Sequence, residues 1–219
     1  KNSATEEYLL EKFVSGELYS HSAFLKNKRA IKNFFVKEDS TVNSFVVDTS
    51  RVIFSPPPEM QRQIINAIEK LARYLRLKDG LIHSQFIWDG CNIYLIDRNR
   101  RIAGDLYSQL IELSTGHPYV ENYVRPFLDM PYKNIEDSDT RIPIMRHTVS
   151  VSKEQNFKHI SFKESLFLES WVALSSAGDR VKASPDGSVG ILFARAKSQA
   201  ELLTLYEATI RRQLYEVVD

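Results

Sequence analysis

The spacing of apolar residues changes period twice along this chain, and this change limits the fold more than any other feature of the sequence. Apolar and polar residues alternate over much of residues 8–54, as they do in half-buried strands. Between residues 59 and 77 the apolar positions recur every three or four residues instead, which predicts an amphipathic helix. Alternation returns in residues 81–97, where Asp89-Gly90 is a hairpin signal. The pattern predicts the α+β class, a mainly antiparallel sheet with helices packed on it.

The bounds of the elements follow from turn and proline signals. Pro58 suits a helix start, and Asp79-Gly80 suits a helix end. Strands are predicted at 8–14, 18–25, 30–36, 44–54, 81–88, 92–97, 144–151, 157–162 and 188–196, and helices at 59–77, 106–113, 120–128 and 198–217. A polar, proline-flanked loop at 130–140 divides the chain into a core unit, residues 1–129, and a closing α+β unit, residues 130–219.

Composition and charge exclude several classes of protein. The 219 residues are 43% apolar and 26% charged, with a formal charge of +1, so nothing indicates disorder or attraction to nucleic acid or an anionic membrane. No apolar run approaches the ~20 residues needed to cross a bilayer, and the opening KNSATEEY does not resemble a signal peptide. Cys91 is the single cysteine, which favours a reducing cytoplasm. We expect a cytoplasmic protein, and the first residue, which is not Met, suggests a processed piece or one domain of a longer protein.

Most of the side chains that could carry chemistry stand on the predicted hairpin. Asp97, Asn99 and Arg101 share one face of its second strand, because side chains alternate with period two. Gln85, on the first strand, can lie across from them. Carboxylate and amide oxygens beside an arginine suit a Mg²⁺ ion carried on phosphate, since Mg²⁺ prefers oxygen ligands and keeps several waters. On spacing alone, an ordinary hairpin with a solvent-facing polar side remains the alternative.

The order of several motifs resembles the C-terminal half of the ATP-grasp ligase domain. HSQFIWDGCNIYLIDRNRRIAGDL, residues 83–106, resembles a strand ending in His-x-Glu-Phe that pairs with one ending in Glu-x-Asn-x-Arg, followed by glycine. LLEKFVSGELYS, residues 9–20, resembles the family's hinge. AGDRV, residues 177–181, with the strand and long helix after it, resembles the closing unit of carboxylate-amine ligases and biotin-carboxylase-like members. The likeness covers most of the chain and implies an ATP-grasp C-terminal subdomain.

The resemblance implies a role for each matching position of the hairpin. Asp97 and Asn99 would coordinate Mg²⁺ that bridges the phosphates of ATP, with Gln85 at the position of the first metal ligand. Arg101 would hold the γ-phosphate or an acyl phosphate, for which a planar guanidinium is suited. His83 would lie near the transferred phosphate or the acceptor.

The resemblance also implies a site for the adenine ring. Glu11, Lys12 and Val14 would form the hinge, where backbone groups near Lys12 and Val14 read the edge of the base. Ile96, just before the acid of the metal strand, would lie under the ring.

Three positions depart from the family pattern. Gln85 stands where the first metal ligand is an acid, and Asp97 is shorter than the usual Glu. Leu18 occupies a ribose-contacting position that is often Glu, whereas Glu17 would face the other side of a regular strand. Residues 100–107, RRIAGDLY, resemble a subgroup with His-x-Gln-Phe, in which Gln85 would be a shared trait.

These features predict an ATP-dependent ligase in which a carboxylate attacks the γ-phosphate of ATP and an amine or similar nucleophile captures the acyl phosphate. The implied cofactors are ATP and Mg²⁺, and the implied partners are the small-molecule carboxylate and amine. No phosphate-binding Lys or Gly-rich loop precedes Glu11, so the N-terminal half of the same protein is a further expected partner and the chain alone would be inactive. A homodimer is left open. The alternatives are a non-catalytic nucleotide-binding or scaffolding member with a degenerate metal site, and a carbamoyl-phosphate-synthase or carboxylase-type subunit that uses bicarbonate.

Overall fold

In the computed structural model, one large antiparallel sheet with helices packed on it confirms the predicted α+β class. The structure describes residue 8 and residues 10–136, 140–163 and 165–219. The strands of the large sheet are β1 (Glu17–Lys26), β2 (Arg29–Asp39), β3 (Thr49–Val52), β4 (Gly80–Trp88), β5 (Ile93–Asn99), β6 (Ile144–Val149), β9 (Phe167–Ala173) and β11 (Gly190–Arg195). Two small pairs contain β7 (Gln155–Asn156) with β10 (Arg180–Val181), and β8 (His159–Phe162) with β12 (Tyr215–Val218). The order across the large sheet is β5-β4-β1-β2-β3-β6-β11-β9.

The helices lie at the predicted helical segments, although the last of them is shorter than predicted. The helices of the described residues are α1 (Pro58–Tyr74), α2 (Tyr107–Thr115), α3 (Tyr119–Val124), followed by a 3₁₀ turn at Arg125–Leu128, and α4 (Gln199–Ile210). In α1, Met60, Ile64, Ile68 and Ala72 are fully buried. Because residues four apart lie on the same side of a helix, these side chains form one stripe that faces the sheet.

The two faces of the large sheet are covered differently. On what we call the closed face, α1 packs over Leu25 and Phe35, and α4 packs over Met145. On the opposite face, which we call the open face, α2 and α3 pack over Phe24 and Phe34. These two short helices cover only part of the open face, and its other part holds the polar hairpin.

The large sheet continues across the predicted boundary between residues 129 and 130. β6 pairs with β3, and β11 and β9 extend the sheet beyond it. One apolar cluster, which contains Met145, Leu192 and Tyr206, is built wholly from residues after 144. The division into units 1–129 and 130–219 stays a prediction.

The predicted strands near the N-terminus are wrong in part. Residues 10–14 have no regular secondary structure, Leu9 lies outside the described residues, and Phe13 is exposed, so the alternation there does not report burial in a sheet. The predicted strand 44–54 shortens to β3. Its first half belongs to the loop between β2 and β3, and Asp48 stabilises this loop by accepting hydrogen bonds from the backbone nitrogen atoms of Thr41 and Val42.

Two predictions near the C-terminus also fail. The helix predicted at 198–217 ends at Ile210, since the chain turns at Arg212 (φ 58°), buries Leu214 and then forms β12. β9 was not predicted, because its residues are half-buried or exposed on both faces and show no alternation.

Candidate functional site

The β4–β5 hairpin brings the predicted metal ligands together. Gln85 is the direct partner of Asp97, and His83 is the direct partner of Asn99. Direct partners in an antiparallel pair project from the same face of the sheet. His83 also pairs with Ser22 of β1, which lies on the open face, so all four side chains belong to that face.

A β-bulge sets which side of β5 carries the acid. The pairing passes from Gln85–Asp97 to Phe86–Leu95, so Ile96 has no partner on β4. An extra residue reverses the alternation of side chains along the strand. Leu95 therefore packs on the closed face against α1, whereas Asp97 lies on the open face.

The oxygen atoms of this group fit a magnesium ion that is carried on phosphate. Asn99 Nδ2 lies 3.4 Å from an Asp97 carboxylate oxygen. The Gln85 amide nitrogen donates to Glu38 Oε2 at 2.8 Å, which leaves the Gln85 amide oxygen for another partner. Among the described residues, no group of three or more His, Cys, Asp or Glu side chains could hold a metal ion by itself. One carboxylate and two amide oxygens suit Mg²⁺ when phosphates supply the remaining negative charge.

Arg101 lies just beyond β5 with a guanidinium that can contact an anion. Its side chain is exposed, and its Nη1 donates to the Ile102 carbonyl at 3.0 Å. Within the described residues, no carboxylate lies at ion-pair distance from it. Asp105, the neighbouring acid that could have held it, instead forms a 3.4 Å ion pair with Arg146.

His83 is buried beneath the other site residues. The side chain is 4% exposed, with Nδ1 2.9 Å from Ser22 Oγ and the ring edge-on to Tyr107. Burial lowers the pKa of His83 to about 4, although the charge of Asp97 acts in the opposite direction and that of Arg101 in the same direction. The imidazole is therefore neutral at pH 7. It can orient its neighbours, but it supplies no positive charge to a phosphate.

The predicted hinge reaches the site at the end of β4. A Cβ atom on Gly16 would lie 2.5 Å from the Ile87 side chain, so this close approach of two strands requires glycine. Glu11 and Lys12 are exposed and Val14 is half-buried, in a segment without regular secondary structure. The roles of these three residues stay predictions.

A small apolar floor lies beside the polar groups. Leu18 and Ile87 are direct partners on the open face, and both are half-buried. Ile96, the residue predicted under the adenine, is 57% exposed in the bulge. Glu17 projects from the other side and accepts a hydrogen bond from Tyr19 at 2.8 Å. An aliphatic floor next to a few polar groups is typical of a small-molecule site.

The sequence reasoning missed a row of polar side chains that leads from the hairpin across the open face. Gln85 faces Asp97 and bonds Glu38, Glu38 pairs with Ser50, and Ser50 pairs with Arg146. We call these five residues the polar row. Burial raises the pKa of Glu38, against the opposing effects of Ser20, Gln85 and Arg146. Glu38 lies two residues beyond the predicted strand 30–36, and the sequence gives no signal for its contact with Gln85 47 residues away.

Arg146, at the far end of the polar row, holds the turn before α2. It is 3% exposed, and its Nε donates to the Asp105 carbonyl. Asp105 and Leu106 both have left-handed backbone conformations, with φ of 55° and 56°. Residues other than glycine adopt this conformation at a cost in free energy. The sequence marks this turn by Gly104-Asp105, but it gives no sign of a partner 41 residues away.

The architecture is that of the C-terminal half of an ATP-grasp ligase domain, as the sequence predicted. The chain superposes on a phosphoribosylglycinamide synthetase from Anaerococcus prevotii with a TM-score of 0.74 and 12% identity, covering 94% of this chain and 54% of that one. An L-amino acid ligase from Bacillus licheniformis gives a TM-score of 0.73 and 14% identity, covering 94% of this chain and 52% of that one. The biotin carboxylase domain dimer of Hydrogenobacter thermophilus 2-oxoglutarate carboxylase, solved with MgADP, ADP and bicarbonate, gives 0.60 and 15%, covering 92% of this chain and 46% of that one.

The chain thus spans about half the length of these three solved chains. No protein-family model and no curated protein sequence matches it. At these identities the likeness establishes the fold alone. Among the helices of the described residues, none combines the length and apolar character that a membrane span needs.

Proposed function

We propose that the chain is the metal- and nucleotide-binding half of an ATP-dependent carboxylate ligase. The β4–β5 hairpin carries the proposal, because Asp97 faces Gln85 on an open sheet surface and Asn99 lies next to Asp97. Arg101 follows without a carboxylate partner in the described part of the chain. Structures with the same fold are named as a synthetase, a ligase and a carboxylase, and one was solved with MgADP. The N-terminal half of the same protein would supply the rest of the site.

The proposed reaction has two steps. A carboxylate oxygen of the substrate attacks the γ-phosphorus of ATP, the bond to the β–γ bridging oxygen breaks, and ADP leaves. An amine or similar nucleophile then attacks the acyl carbon, phosphate leaves with the bonding electrons, and the proton of the nucleophile passes to solvent. Mg²⁺, held by Asp97, Asn99 and Gln85, would neutralise phosphate charge. Arg101 stabilises the charge that develops on the transferred phosphoryl group, because its planar fork matches phosphate oxygens.

Gln85 favours a second candidate function, that of a nucleotide-binding or scaffolding module without catalysis. An amide in place of a carboxylate removes one negative charge from the metal site, which would weaken Mg²⁺ binding in the absence of compensation. A third candidate, a subunit that uses bicarbonate as the acid, shares the first step of the ligase reaction. The Hydrogenobacter neighbour was solved as a dimer with bicarbonate. A homodimer of this chain is left open, and its cytoplasmic location stays a prediction.

Arg101 separates the ligase from the module. In the full-length protein, Arg101→Ala should lower turnover by about 10²–10³-fold, as the loss of a comparable anion-stabilising donor does. Arg101→Lys should restore little, because it keeps the charge and loses the fork. ADP release with a panel of small carboxylates and amines measures turnover, and metal–nucleotide titration measures binding. Arg98→Ala is the matched control, since Arg98 is exposed near the end of β5, three residues before Arg101, and pairs with Ser84 on the opposite face. Unchanged ADP release in Arg101→Ala, with only a slightly lower melting temperature, would favour the module.

A further inference from the structure

Gln85 is held by a buried carboxylate to which the proposed mechanism gives no role. Glu38 lies on β2 with 4% of its surface exposed, and its Oε2 accepts the hydrogen bond from Gln85 Nε2 at 2.8 Å. Asp97 faces Gln85 from β5, on the other side of β4. Gln85 therefore stands between two carboxylates, one toward the middle of the sheet and one at its edge.

Glu38 determines which way the Gln85 amide points. An amide donates through nitrogen and accepts through oxygen, whereas an ionised carboxylate only accepts. With Nε2 bound to Glu38, Gln85 Oε1 is the amide atom that stays available to a ligand. The opposite flip would set two oxygen atoms against each other. The hydrogen bond thus fixes an orientation that a glutamine without this neighbour would leave open.

We propose that Glu38 is a positioning residue that allows the neutral Gln85 to serve as a metal ligand, an inference that rests on the proposed function. A hydrogen bond to a charged acceptor is shorter and stronger than one between neutral groups, so it holds the amide firmly. It also polarises the amide and increases the negative charge on Gln85 Oε1, as partners outside the ligand shell do for metal-bound imidazoles and carboxylates. When Glu38 is ionised, which the contact with Ser20 and the charge of Arg146 favour against the effect of burial, the Glu38–Gln85 pair carries a single negative charge, as would the acid that the family resemblance implies at position 85.

Glu38 itself is fixed by more than Gln85. Its carboxylate contacts the Ser20 side chain and is attracted by the positive charge of Arg146. Ser50 is the direct partner of Glu38 on β3, and its Oγ lies 3.4 Å from Arg146 Nη1. These contacts keep the carboxylate in place, so it can orient Gln85 before any nucleotide binds.

Moving the charge between the two side chains tests the inference. The full-length protein is titrated calorimetrically with MgADP and, in excess EDTA, with metal-free ADP. Glu38→Gln should weaken MgADP binding by about 10–100-fold, as does the loss of other residues that hydrogen-bond to metal ligands. The binding of metal-free ADP should be nearly unchanged. The exchange of the two residues, Glu38→Gln with Gln85→Glu, returns the carboxylate to position 85 and should recover most of the MgADP affinity. Glu59→Gln is the matched control, because Glu59 accepts a similar 2.7 Å hydrogen bond from Gln63 on α1.

The outcomes separate this inference from the function on which it rests. If Glu38→Gln weakens both titrations equally, the contact is structural and the inference is wrong. If Glu38→Gln binds MgADP normally while Asp97→Asn does not, the inference fails and the proposed metal site survives. If Asp97→Asn also binds MgADP normally, the proposed metal site itself fails, and the inference with it. Should Glu38→Gln not fold, the exchange variant decides: near-normal MgADP affinity supports the positioning role, and a loss as large as that of Asp97→Asn contradicts it.

Discussion

The closed and open faces of the sheet are built by the same strands, yet they differ in what they bury. On the closed face, β4 presents Ile82, Phe86 and Trp88 to the apolar cluster around α1. On the open face, the alternate residues of β4 include the polar His83 and Gln85. Because side chains alternate along a strand, each strand contributes apolar burial on one side and chemistry on the other. Stability and ligand binding should therefore respond to substitutions on different faces.

On the closed face, one group of buried polar side chains is held by hydrogen bonds within the protein. His147 Nδ1 lies 2.7 Å from Thr49 Oγ1, and His147 Nε2 lies 2.6 Å from the Tyr215 hydroxyl. Thr49 in turn donates to Asp48. This chain of bonds links β3, β6 and β12. On the open face Asp97 is exposed, which is the state expected of a group that binds a ligand.

The largest effect should come from the acid of the open face. Asp97→Asn removes the only carboxylate among the three proposed metal ligands, so we expect turnover of the full-length protein to be nearly abolished and the melting temperature to change little. ADP release and thermal unfolding measure the two quantities. Asp186→Asn, in an exposed loop, is the control. Normal ADP release from Asp97→Asn would remove the distinction between the faces and favour a scaffold.

A substitution on the closed face should have the opposite effect, a loss of stability without a loss of ligand binding. Ile64→Ala leaves a cavity in the fully buried stripe of α1 and should lower the free energy of unfolding by about 2–5 kcal/mol. Below its lowered melting temperature, the variant should bind MgADP normally, since α1 lies on the other side of the sheet. Denaturant unfolding and calorimetry check both parts. Asn66→Ala, on the exposed side of the same helix, should cost little. A selective loss of MgADP affinity in folded Ile64→Ala would show that the faces are coupled.

The closed face should also make the protein sensitive to acid. Burial lowers the pKa of His147 to about 4, whereas an unfolded chain has a histidine pKa near 6.5. Between pH 4 and pH 6.5, His147 is protonated in the unfolded chain but neutral in the folded protein. Stability should be intact above pH 6.5, fall as the pH drops toward 4, and level off below, with His147 accounting for up to about 3 kcal/mol. His147→Gln should reduce this dependence by the contribution of His147, and His159→Gln, on the surface, should not, while the equally lowered pKa values of His21 and His83 maintain the rest. Equal slopes in the two variants would contradict the assignment.

The sequence predicted most of the site because most of it is local. A two-residue period and the Asp89-Gly90 signal are sufficient to predict a hairpin that brings Gln85 near Asp97, but the direct pairing of these two residues needs the bulge. The bulge at Ile96 was not predictable, since it depends on Leu95 packing under α1. Glu38 was missed for a similar reason, because its contact with Gln85 crosses β1 and exists only once the sheet has formed.

Elsewhere the predictions of secondary structure failed where side chains are weakly buried or where the chain reverses direction. β9 lacks alternation because neither of its faces is well buried. The end of α4 lacked a proline or glycine stop signal, and the turn is made by Arg212 in a left-handed conformation. Periodicity therefore predicts elements whose two sides differ in burial, and it does not predict partners that are brought together by the tertiary fold.

The position of the metal–nucleotide complex tests the central claim most directly. Mn²⁺ bound with ADP broadens nearby NMR signals, and the side-chain amides of Gln85 and Asn99 can be assigned by single substitution in the full-length protein. We expect MnADP to broaden both of these signals, while Mn²⁺ alone at the same concentration has little effect, because the single carboxylate at Asp97 needs phosphates to hold the ion. The amide of Asn66, on α1 beyond the closed face, should stay sharp. Bound MnADP that leaves Gln85 and Asn99 sharp, or that broadens Asn66 first, would contradict the account.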